Sequence, residues 1–225
     1  MTPIPGFPGS RLEGVLFDMD GTLVDTEPYW IEAEYKLVAE FGGRWTDADA
    51  RAVVGNALLA TARRLRDVGG VRLDPPVIVD RLLDDVIAAV EREMPWRPGA
   101  VELLEALPDA GVPCAMVTMS YARLAATLVA KLPQETFAAV VTGDQVLDGK
   151  PHPEAYLTAA ERLGVDPARC VAIEDSNTGV ASARAAGCVV IAVPHHVPIE
   201  PTAGVTIVES LAALTVADLA ALVPG

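Results

Sequence analysis

Residues 15–25 read VLFDMDGTLVD, and this stretch decides how the chain folds. Its apolar start predicts a buried strand of a parallel sheet. Asp18 and Asp20 follow on the loop beyond the carboxyl end of that strand, where open α/β sheets bind ligands. Gly21 permits a sharp turn and a close approach of the backbone to a ligand. Two carboxylates this close repel each other unless one keeps its proton or a cation joins them, and a divalent metal of the magnesium type is the simplest such cation.

The composition bounds the class of protein. The chain has 225 residues, of which 51% are hydrophobic, enough for one sizeable α/β domain or for a core with a smaller insert. Its 31 acidic and 17 basic residues give a formal net charge of -14. Such a surface repels nucleic acid and anionic membranes, so neither is expected as a partner. It would also repel an anionic substrate, and the site for one must therefore be made by local groups and metal.

Three further features concern the compartment and the start of the chain. Cys114, Cys170 and Cys188 each lie in an apolar run and are predicted to be buried free thiols in a reducing compartment. No signal-peptide pattern and no apolar run long enough to span a bilayer is found, so we expect a cytoplasmic protein. The opening MTPIPGFPGS is rich in Pro and Gly and is expected to be loosely ordered.

Residues 27–95 predict helices only. Apolar spacing and turn signals predict helices over 29–41, 48–54, 57–68 and 77–94, with Thr46 or Asp47 capping the second. No convincing strand pattern lies between them. This stretch is predicted to be a small all-helical domain inserted directly after the first strand and its loop.

From Trp96 the pattern changes to alternating strands and helices. Strands are predicted at 112–118, 138–143, 170–174 and 188–193, the second to the fifth of the chain, with 206–210 as a candidate edge strand. Alternation of this kind predicts a doubly wound, Rossmann-like parallel sheet. The expected fold class is therefore α/β, with a core domain of residues 1–26 and 96–225 and a helical domain of residues 27–95.

Polar groups also follow the other predicted strands, in the position that Asp18 occupies after the first strand. Thr118 closes the second strand, and its hydroxyl, with the backbone amides of Met119 and Ser120, can face an anion. Lys150 follows the third strand, and its ammonium group suits a phosphoryl oxygen. Glu174 and Asp175 end the fourth strand. Taken singly, each of these groups is more often a helix cap or a solvated side chain.

Taken together, the groups resemble the four motifs of the haloacid dehalogenase (HAD) superfamily. Asp18-x-Asp20-x-Thr22, Thr118, Lys150 in GKPHP, and Glu174-Asp175 in IEDSNTG match those motifs in order, after successive predicted strands. The resemblance covers essentially the whole chain. Residues 27–95 look like the cap of the subfamily that contains phosphoglycolate phosphatase, β-phosphoglucomutase and small sugar-phosphate phosphatases.

The resemblance implies a role for each motif residue. Asp18 would be the nucleophile that forms an aspartyl-phosphate, and Asp20 the general acid and then the base. Mg²⁺ would be held by the Asp18 carboxylate, the Asp20 backbone carbonyl and Asp175, with Glu174 contacting water on the metal. Thr118 and Lys150 would contact the transferring phosphoryl oxygens. The implied activity is Mg²⁺-dependent hydrolysis of a small phosphate monoester, of a sugar or polyol in particular.

Two alternatives remain open at this point. A phosphomutase of the β-phosphoglucomutase kind would use the same core, but such mutases carry a histidine shortly after the first motif, where this chain has Trp30. A non-catalytic phosphate-ligand-binding protein on the same fold is the second alternative. We expect a monomer, with a homodimer as the other possibility.

Substrate choice is expected to lie in residues 27–95. The candidates are Trp30, Asn56 on the Gly55 turn, and Arg63 or Arg64. Taken singly, each is more often structural, with Trp30 in the core and the arginines on a solvated helix face. The three histidines carry no metal prediction, because their spacing matches no cysteine or carboxylate: His152, His195 and His196.

Overall fold

A computed structural model describes residues 12–224 of the chain. The Pro/Gly-rich opening discussed above lies outside the described residues. The described chain contains a six-stranded sheet in the order β3-β2-β1-β4-β5-β6, with every neighbouring pair parallel. The strands are β1 (Gly14–Phe17), β2 (Cys114–Val117), β3 (Ala139–Val141), β4 (Cys170–Glu174), β5 (Val189–Ala192) and β6 (Val205–Ile207).

Helices connect the strands and cover both faces of the sheet, as the alternating pattern predicts. The first four precede β2: α1 (Glu27–Glu40), α2 (Asp47–Arg51), α3 (Leu58–Asp67) and α4 (Pro75–Arg92). The others are α5 (Ala100–Asp109), α6 (Ala122–Val129), α7 (Glu154–Leu163), α8 (Asn177–Ala185) and α9 (Val216–Leu222), with short 3₁₀ turns at Pro167–Arg169 and Leu211–Ala213.

The centre of the sheet is the most deeply buried part of the described chain. All residues of β1, β2 and β4 are buried, and β1 pairs with both of the others. A strand flanked on both sides and covered on both faces has no solvent-facing side chains, which explains why VLF reads as a continuous apolar run. The loop that carries Asp18 is therefore anchored to a fully buried strand that is paired on both sides.

The predicted fold class is confirmed, and the differences are at element boundaries. The edge strand β6 covers Val205–Ile207 and is only partly buried, rather than spanning 206–210. The second helix is confined to Asp47–Arg51 because the chain turns at 52–55, where Gly55 has a φ of 73°. Thr46 caps that helix as predicted, through a capping box with Asp49.

Residues 27–95, here called the helical block, contain α1 to α4 and no strand. Within it α4 packs against α1 and α3, and α4 also packs against α6 of the sheet region. The two connections to the sheet region run side by side: the Asp25 amide donates to the Pro95 carbonyl at 2.9 Å, and Val24 pairs with Trp96 in an antiparallel bridge.

Two predictions about the remaining chain can be compared with the structure. Cys114, Cys170 and Cys188 are all buried and none is in a disulfide, as predicted. Over residues 12–224, no helix combines the length and apolar character that crossing a membrane requires.

Candidate active site

The polar groups predicted from the motifs meet at the carboxyl edge of the sheet. Asp18, Thr118 and Asp175 are each the first residue after a strand, namely β1, β2 and β4. Lys150 reaches the same place from the loop between β3 and α7. All four line a cavity of about 380 Å³, the site cavity, which lies between the sheet edge and the helical block. This is the position at which parallel α/β sheets bind their ligands.

Lys150 is buried in the middle of the site. Its Nζ donates to Asp18 Oδ1 at 2.6 Å, to Glu174 Oε1 at 2.6 Å and to the Val117 carbonyl at 2.8 Å. Burial alone would lower the pKa of Lys150, but the two carboxylates outweigh it and raise the pKa. The ammonium group is therefore a fixed positive charge directly beside Asp18.

Asp20 is held by hydroxyl groups instead. Thr26 Oγ1 donates to Asp20 Oδ1 at 2.5 Å, and Ser120 Oγ and Thr118 Oγ1 donate to Asp20 Oδ2 at 2.7 and 3.2 Å. Three donors from two different loops fix the orientation of this carboxyl group. It shares the site cavity with Asp18 but makes none of that residue's ion-pair contacts.

The structure differs from expectation in how Thr118 and Ser120 are used. The backbone amide of Ser120 donates to Thr118 Oγ1 at 2.9 Å, so this amide does not face an anion as predicted. Both side chains are directed at Asp20 instead. Met119 lines the site cavity, and its sulfur accepts from the Lys150 amide at 3.3 Å.

Three carboxyl groups offer oxygen atoms to a common point. One oxygen each from Asp18, Glu174 and Asp175 lies within 4.8 Å of the other two. Asp18 Oδ2 is buried and has no hydrogen-bond partner in the described chain, which is costly for a carboxylate unless a cation is bound there. An all-oxygen donor set with an orphaned oxygen fits Mg²⁺. The Asp20 side chain is outside this set.

Two glycines permit the carboxyl groups to come this close. A Cβ atom on Gly21, whose φ is 88°, would lie 2.0 Å from Asp175 Oδ2, and a Cβ atom on Gly179 would lie 1.9 Å from the carboxyl carbon of Glu174. Any side chain at either position would displace a carboxylate. Gly21 was predicted to allow a close approach of the backbone at the site. In the structure its backbone approaches the Asp175 carboxylate.

The buried carboxyl groups of the site have too little positive charge beside them unless a cation is bound. Burial raises the pKa of Asp18 and of Asp175, the Glu174 carboxylate raises both further, and Asp18 also raises the pKa of Asp175. Lys150 opposes both shifts but supplies only one positive charge against the carboxylates of Asp18, Glu174 and Asp175. A divalent cation would remove this imbalance.

The helical block forms the opposite wall of the site cavity. Trp30 and Asn56 line it, as expected for substrate-selecting residues, although the Asn56 amide also donates to the Ala52 carbonyl at 3.1 Å. Arg63 and Arg64 do not line it, so their proposed role in substrate choice is wrong: Arg63 is exposed, and Arg64 pairs with Asp49 at 3.0 Å. Glu27 and Glu34, which the sequence analysis did not select, occupy this wall.

Glu34 makes the stability of the protein depend on pH. Burial raises its pKa from the ordinary 4.5 to about 8, partly opposed by a hydrogen bond from Trp45. The folded state therefore binds this proton more tightly than the unfolded chain, and stability is lost as pH rises from about 4.5 to 8. We expect Glu34→Gln to reduce the fall in melting temperature between pH 5 and pH 8 by several degrees.

A control for this prediction lies on the same helix. Glu32→Gln makes the same chemical change at an exposed position and should leave the pH profile of the wild type unchanged. Scanning calorimetry at both pH values measures the two profiles. Parallel profiles for wild type and Glu34→Gln would show that folding does not raise the pKa of Glu34.

A pair of histidines meets a carboxylate at the edge of the site. Nε2 of His195 lies 3.0 Å from Asp25 Oδ2, and Nε2 of His196 lies 2.8 Å from Asp25 Oδ1. Sequence spacing predicted no carboxylate partner for these histidines, and the structure supplies one in Asp25. Asp25 precedes them by some 170 residues, and only the fold brings the groups together.

Two further contacts support the site but were not predicted. Tyr156 is fully buried and donates to Glu174 Oε1 at 2.7 Å, so Glu174 already accepts from two donors at one oxygen. Thr26, at the end of the first loop, donates to Asp20. Thr26 stands in the DTE string directly after the first motif, and this position could have marked it as a site residue. Tyr156 lies in a helix of ordinary pattern, and nothing in the sequence marked it.

Comparison with known proteins decides the family. The sequence model of the haloacid dehalogenase-like hydrolases matches residues 12–187, which include every motif described above. The chain belongs to the haloacid dehalogenase-like hydrolase family. The HAD resemblance drawn from the motifs is thereby confirmed.

Several relatives are named as phosphatases, and a solved structure has the same fold. Hexitol phosphatase A of Escherichia coli is 40% identical over 188 residues, covering 81% of this chain and 83% of that protein. Fructose-1-phosphate phosphatase of the same organism is 32% identical over 186 residues, covering 79% and 94%. The structure of CbbY from Rhodobacter sphaeroides in complex with phosphate superimposes with a TM-score of 0.83 at 30% identity, over 92% of this chain and 99% of that one. The chain is thus a phosphoric monoester hydrolase of the HAD family.

Proposed function

We propose that this HAD protein is a Mg²⁺-dependent phosphatase that hydrolyses a sugar or polyol phosphate through an aspartyl-phosphate on Asp18. The observation that carries the proposal is the state of the Asp18 carboxyl group. One oxygen is paired with Lys150, and the other is buried without a partner beside Glu174 and Asp175. A carboxylate held in this way can bind a cation and attack a phosphorus atom from the same position.

In the first step Asp18 attacks phosphorus and the bond to the leaving alcohol breaks. Lys150 stays beside the attacking carboxylate and offers its positive charge to the transferring phosphoryl oxygens. Glu174 accepts a hydrogen bond from Lys150 and holds it in place, and Tyr156 donates to Glu174 and holds that carboxylate in turn. The rigid positioning of these groups matters because phosphoryl transfer gains most from orientation and charge.

Asp20 moves the proton. Held by Thr26, Thr118 and Ser120, its carboxyl group is positioned to protonate the oxygen of the leaving alcohol. In the second step the same carboxylate takes a proton from the water that attacks the phosphorus of the aspartyl-phosphate, which breaks the bond to the Asp18 oxygen and releases inorganic phosphate. Three hydroxyl donors can satisfy the carboxylate when its proton is away, so both states of the cycle are accommodated.

Mg²⁺ would be held by Asp18, Asp175 and the backbone carbonyl of Asp20, and when bound it supplies the charge that lets a carboxylate approach a dianionic ester. Glu174 has its two oxygens engaged by Lys150, Tyr156 and Ser176. We therefore assign to Glu174 the holding of Lys150 as well as support of the metal site.

The helical block is proposed to act as a cap domain of residues 27–95 over a core domain of residues 1–26 and 96–225. Its two connections lie next to each other, a geometry in which a few residues can absorb a hinge rotation. Closure would exclude water other than the attacking molecule. Trp30 lines the site cavity at the place where resembling mutases carry a histidine, which supports a phosphatase over a mutase.

The test is a hydrolysis assay of the purified protein. With Mg²⁺ present, we expect release of phosphate from p-nitrophenyl phosphate and, faster, from members of a panel of sugar and polyol phosphates. No sugar bisphosphate primer should be needed. Turnover only with such a primer would indicate a mutase, and absence of any turnover would contradict the proposal.

Substitutions should separate recognition from chemistry. Trp30→Ala or Asn56→Ala is expected to change the ranking of sugar-phosphate substrates relative to the chromogenic ester, because these residues line only the wall contributed by the helical block. Lys150→Ala should lower turnover of all esters together, since Lys150 contacts the group common to them. Values of kcat/KM over the panel measure both effects. If the variants at Trp30 and Asn56 lower every substrate in proportion, these residues serve packing alone.

A further inference from the structure

Two imidazoles and one carboxylate meet beside the site cavity and have no part in the chemistry described above. Asp25 belongs to the loop after β1, and His195 and His196 belong to the loop after β5. The Nε2 atoms of the two rings lie 3.0 and 2.8 Å from the two oxygens of the Asp25 carboxyl group, one on each oxygen. Each side chain of this group, here called the His-Asp cluster, offers one ligand atom, and the three atoms lie within 4.8 Å of one another.

The distances within the His-Asp cluster suit a four-coordinate cation. Zn²⁺ binds imidazole nitrogen and carboxylate oxygen at about 2.0–2.2 Å, so two ligand atoms of a tetrahedral site are about 3.3 Å apart. The nitrogen–oxygen distances of the cluster are shorter than this by about 0.3 to 0.5 Å, so small movements of the side chains would admit the ion. Two imidazoles and one carboxylate leave the fourth position to water, as in open zinc sites.

The imidazoles are available as ligands. Burial, with a smaller contribution from the charge of Arg97, lowers the pKa of His195, so this ring is in the neutral form that binds metals at pH 7. A neutral imidazole can carry its proton on Nδ1, which frees Nε2 for a cation without loss of a proton. The side chains of His195 and His196 are 27% and 36% exposed, so a cation can enter from solvent. The Arg97 charge acts against a bound cation, and the Asp25 carboxylate offsets it.

The His-Asp cluster suits a different cation from the one that fits the carboxyl groups at Asp18. Mg²⁺ takes oxygen ligands in octahedral geometry, which the group of Asp18, Glu174 and Asp175 can offer. Imidazole nitrogen is preferred by Zn²⁺, and by Co²⁺, Ni²⁺ and Cu²⁺. The two groups share no residue, so one cation of each kind can be bound at the same time.

The position of the His-Asp cluster relates a bound cation to the helical block. Asp25 lies in the first connection to that block, and its amide donates to the carbonyl of Pro95 in the second. The next residue, Thr26, donates to Asp20 at 2.5 Å, and His196 lines the site cavity. A cation shared by Asp25 and the loop after β5 would tie the first connection to the sheet region. It would thereby restrict the rotation that closure of the cavity requires.

We propose that Asp25, His195 and His196 form a second cation site, for an imidazole-binding divalent ion of the Zn²⁺ class, and that its occupation slows turnover at the Mg²⁺ site. The effect on turnover rests on the proposed function and on closure of the helical block. The binding of the ion rests on neither.

Binding is measured on the full chain with Mg²⁺ in excess. We expect titration calorimetry with Zn²⁺ to show one additional ion per chain, and Co²⁺ in its place to give the strong visible absorption of a four-coordinate site with nitrogen ligands. His195→Gln and His196→Gln should each weaken Zn²⁺ binding by more than about tenfold, a loss that removal of an outer partner of a metal ligand already causes. Both positions are exposed, so the variants should fold.

His152→Gln is the matched control. It removes the third histidine of the chain, which lies near Asp148 and Glu154. That group offers one imidazole, and the two Glu154 oxygens accept from backbone amides at 2.8 and 2.9 Å, so Zn²⁺ binding should be as in the wild type. Absence of Zn²⁺ binding by the wild type, or equal binding by all three Gln variants, as for Zn²⁺ that displaces Mg²⁺ at Asp18, would overturn the site.

Turnover of the phosphate-ester panel tests the effect on the reaction, with each protein compared with itself before and after addition of Zn²⁺. We expect Zn²⁺ to lower kcat several-fold in the wild type and in His152→Gln, and to leave kcat unchanged in His195→Gln and His196→Gln. Zn²⁺ binding at the cluster without a loss of kcat would support the site and refute its effect on turnover. Absence of hydrolysis in every protein would refute the proposed function, and calorimetry would still decide the cation site.

Discussion

Asp18→Asn is expected to abolish turnover of every phosphate ester, with a loss of at least about 10⁴-fold in kcat. An amide oxygen is a poor nucleophile and carries no charge, so no acyl-phosphate can form on residue 18. The substitution also weakens the ion pair with Lys150 and changes the oxygen that has no partner. Release of phosphate from p-nitrophenyl phosphate measures the loss, and a circular dichroism spectrum shows that the variant is folded.

Asp20→Asn provides the comparison. It leaves Asp18 and Lys150 in place and removes only proton transfer, a contribution of about 10²–10⁴-fold. The loss should be smaller for p-nitrophenyl phosphate than for a polyol phosphate, because an alcohol is the poorer leaving group and needs the proton more. Retention of even a few per cent of activity by Asp18→Asn would contradict the assignment of Asp18 as nucleophile.

Removal of divalent cations should also abolish activity. Asp18, Glu174 and Asp175 converge on one point, and Lys150 supplies one positive charge to Asp18 and Glu174, so the chelated site repels a phosphate dianion. We expect EDTA to reduce turnover to background and added Mg²⁺ to restore it. Full activity in thoroughly chelated protein would refute the metal-assisted reaction.

Thermal stability reports on the same site without catalysis. A cation that binds only the folded state stabilises it, so Mg²⁺ should raise the melting temperature of the chelated wild type. Asp175→Asn removes one of the carboxylates and should reduce this rise. The exposed-site variant Glu32→Gln should show the full rise. An equal rise in Asp175→Asn would place the cation elsewhere.

The sheet and its motif residues could be predicted from the sequence because both depend on short-range patterns. Buried parallel strands read as apolar runs, and the residue after each run is placed at the carboxyl edge by topology alone. That is sufficient to bring Asp18, Thr118 and Asp175 to one cavity, and the structure places them there. Lys150 was also selected because it follows the third strand, but it lies well beyond the end of β3, so topology alone does not bring it to the cavity.

The wall of the site cavity formed by the helical block could not be predicted as well. A polar residue on an amphipathic helix reads as solvated, and Glu34 is buried because α1 turns that face toward the sheet edge. The arginines of α3 carry the positive charge expected of a group that binds a phosphate ester, but they do not line the site cavity, and Arg64 pairs with Asp49. Which face of a helix meets the site depends on how the helical block packs on the core, and no local pattern records that packing.

The pairing of Asp25 with His195 and His196 was missed for a related reason. Spacing rules detect metal or ion-pair partners that are near in sequence. Here the partners come from the loops after β1 and β5, two strands that are separated in the sheet by β4. Topology places both loops at the same edge, but side-chain direction decides whether they meet.

The most direct test of the account is to trap the covalent intermediate. Wild-type protein is mixed with Mg²⁺ and a polyol phosphate, quenched during turnover and reduced with borohydride, which converts an aspartyl-phosphate to homoserine. Peptide mass spectrometry then locates the modified residue. The account predicts homoserine at position 18, in a substrate-dependent amount, and none in Asp18→Asn. Modification at another residue, or none at any residue during active turnover, would contradict it.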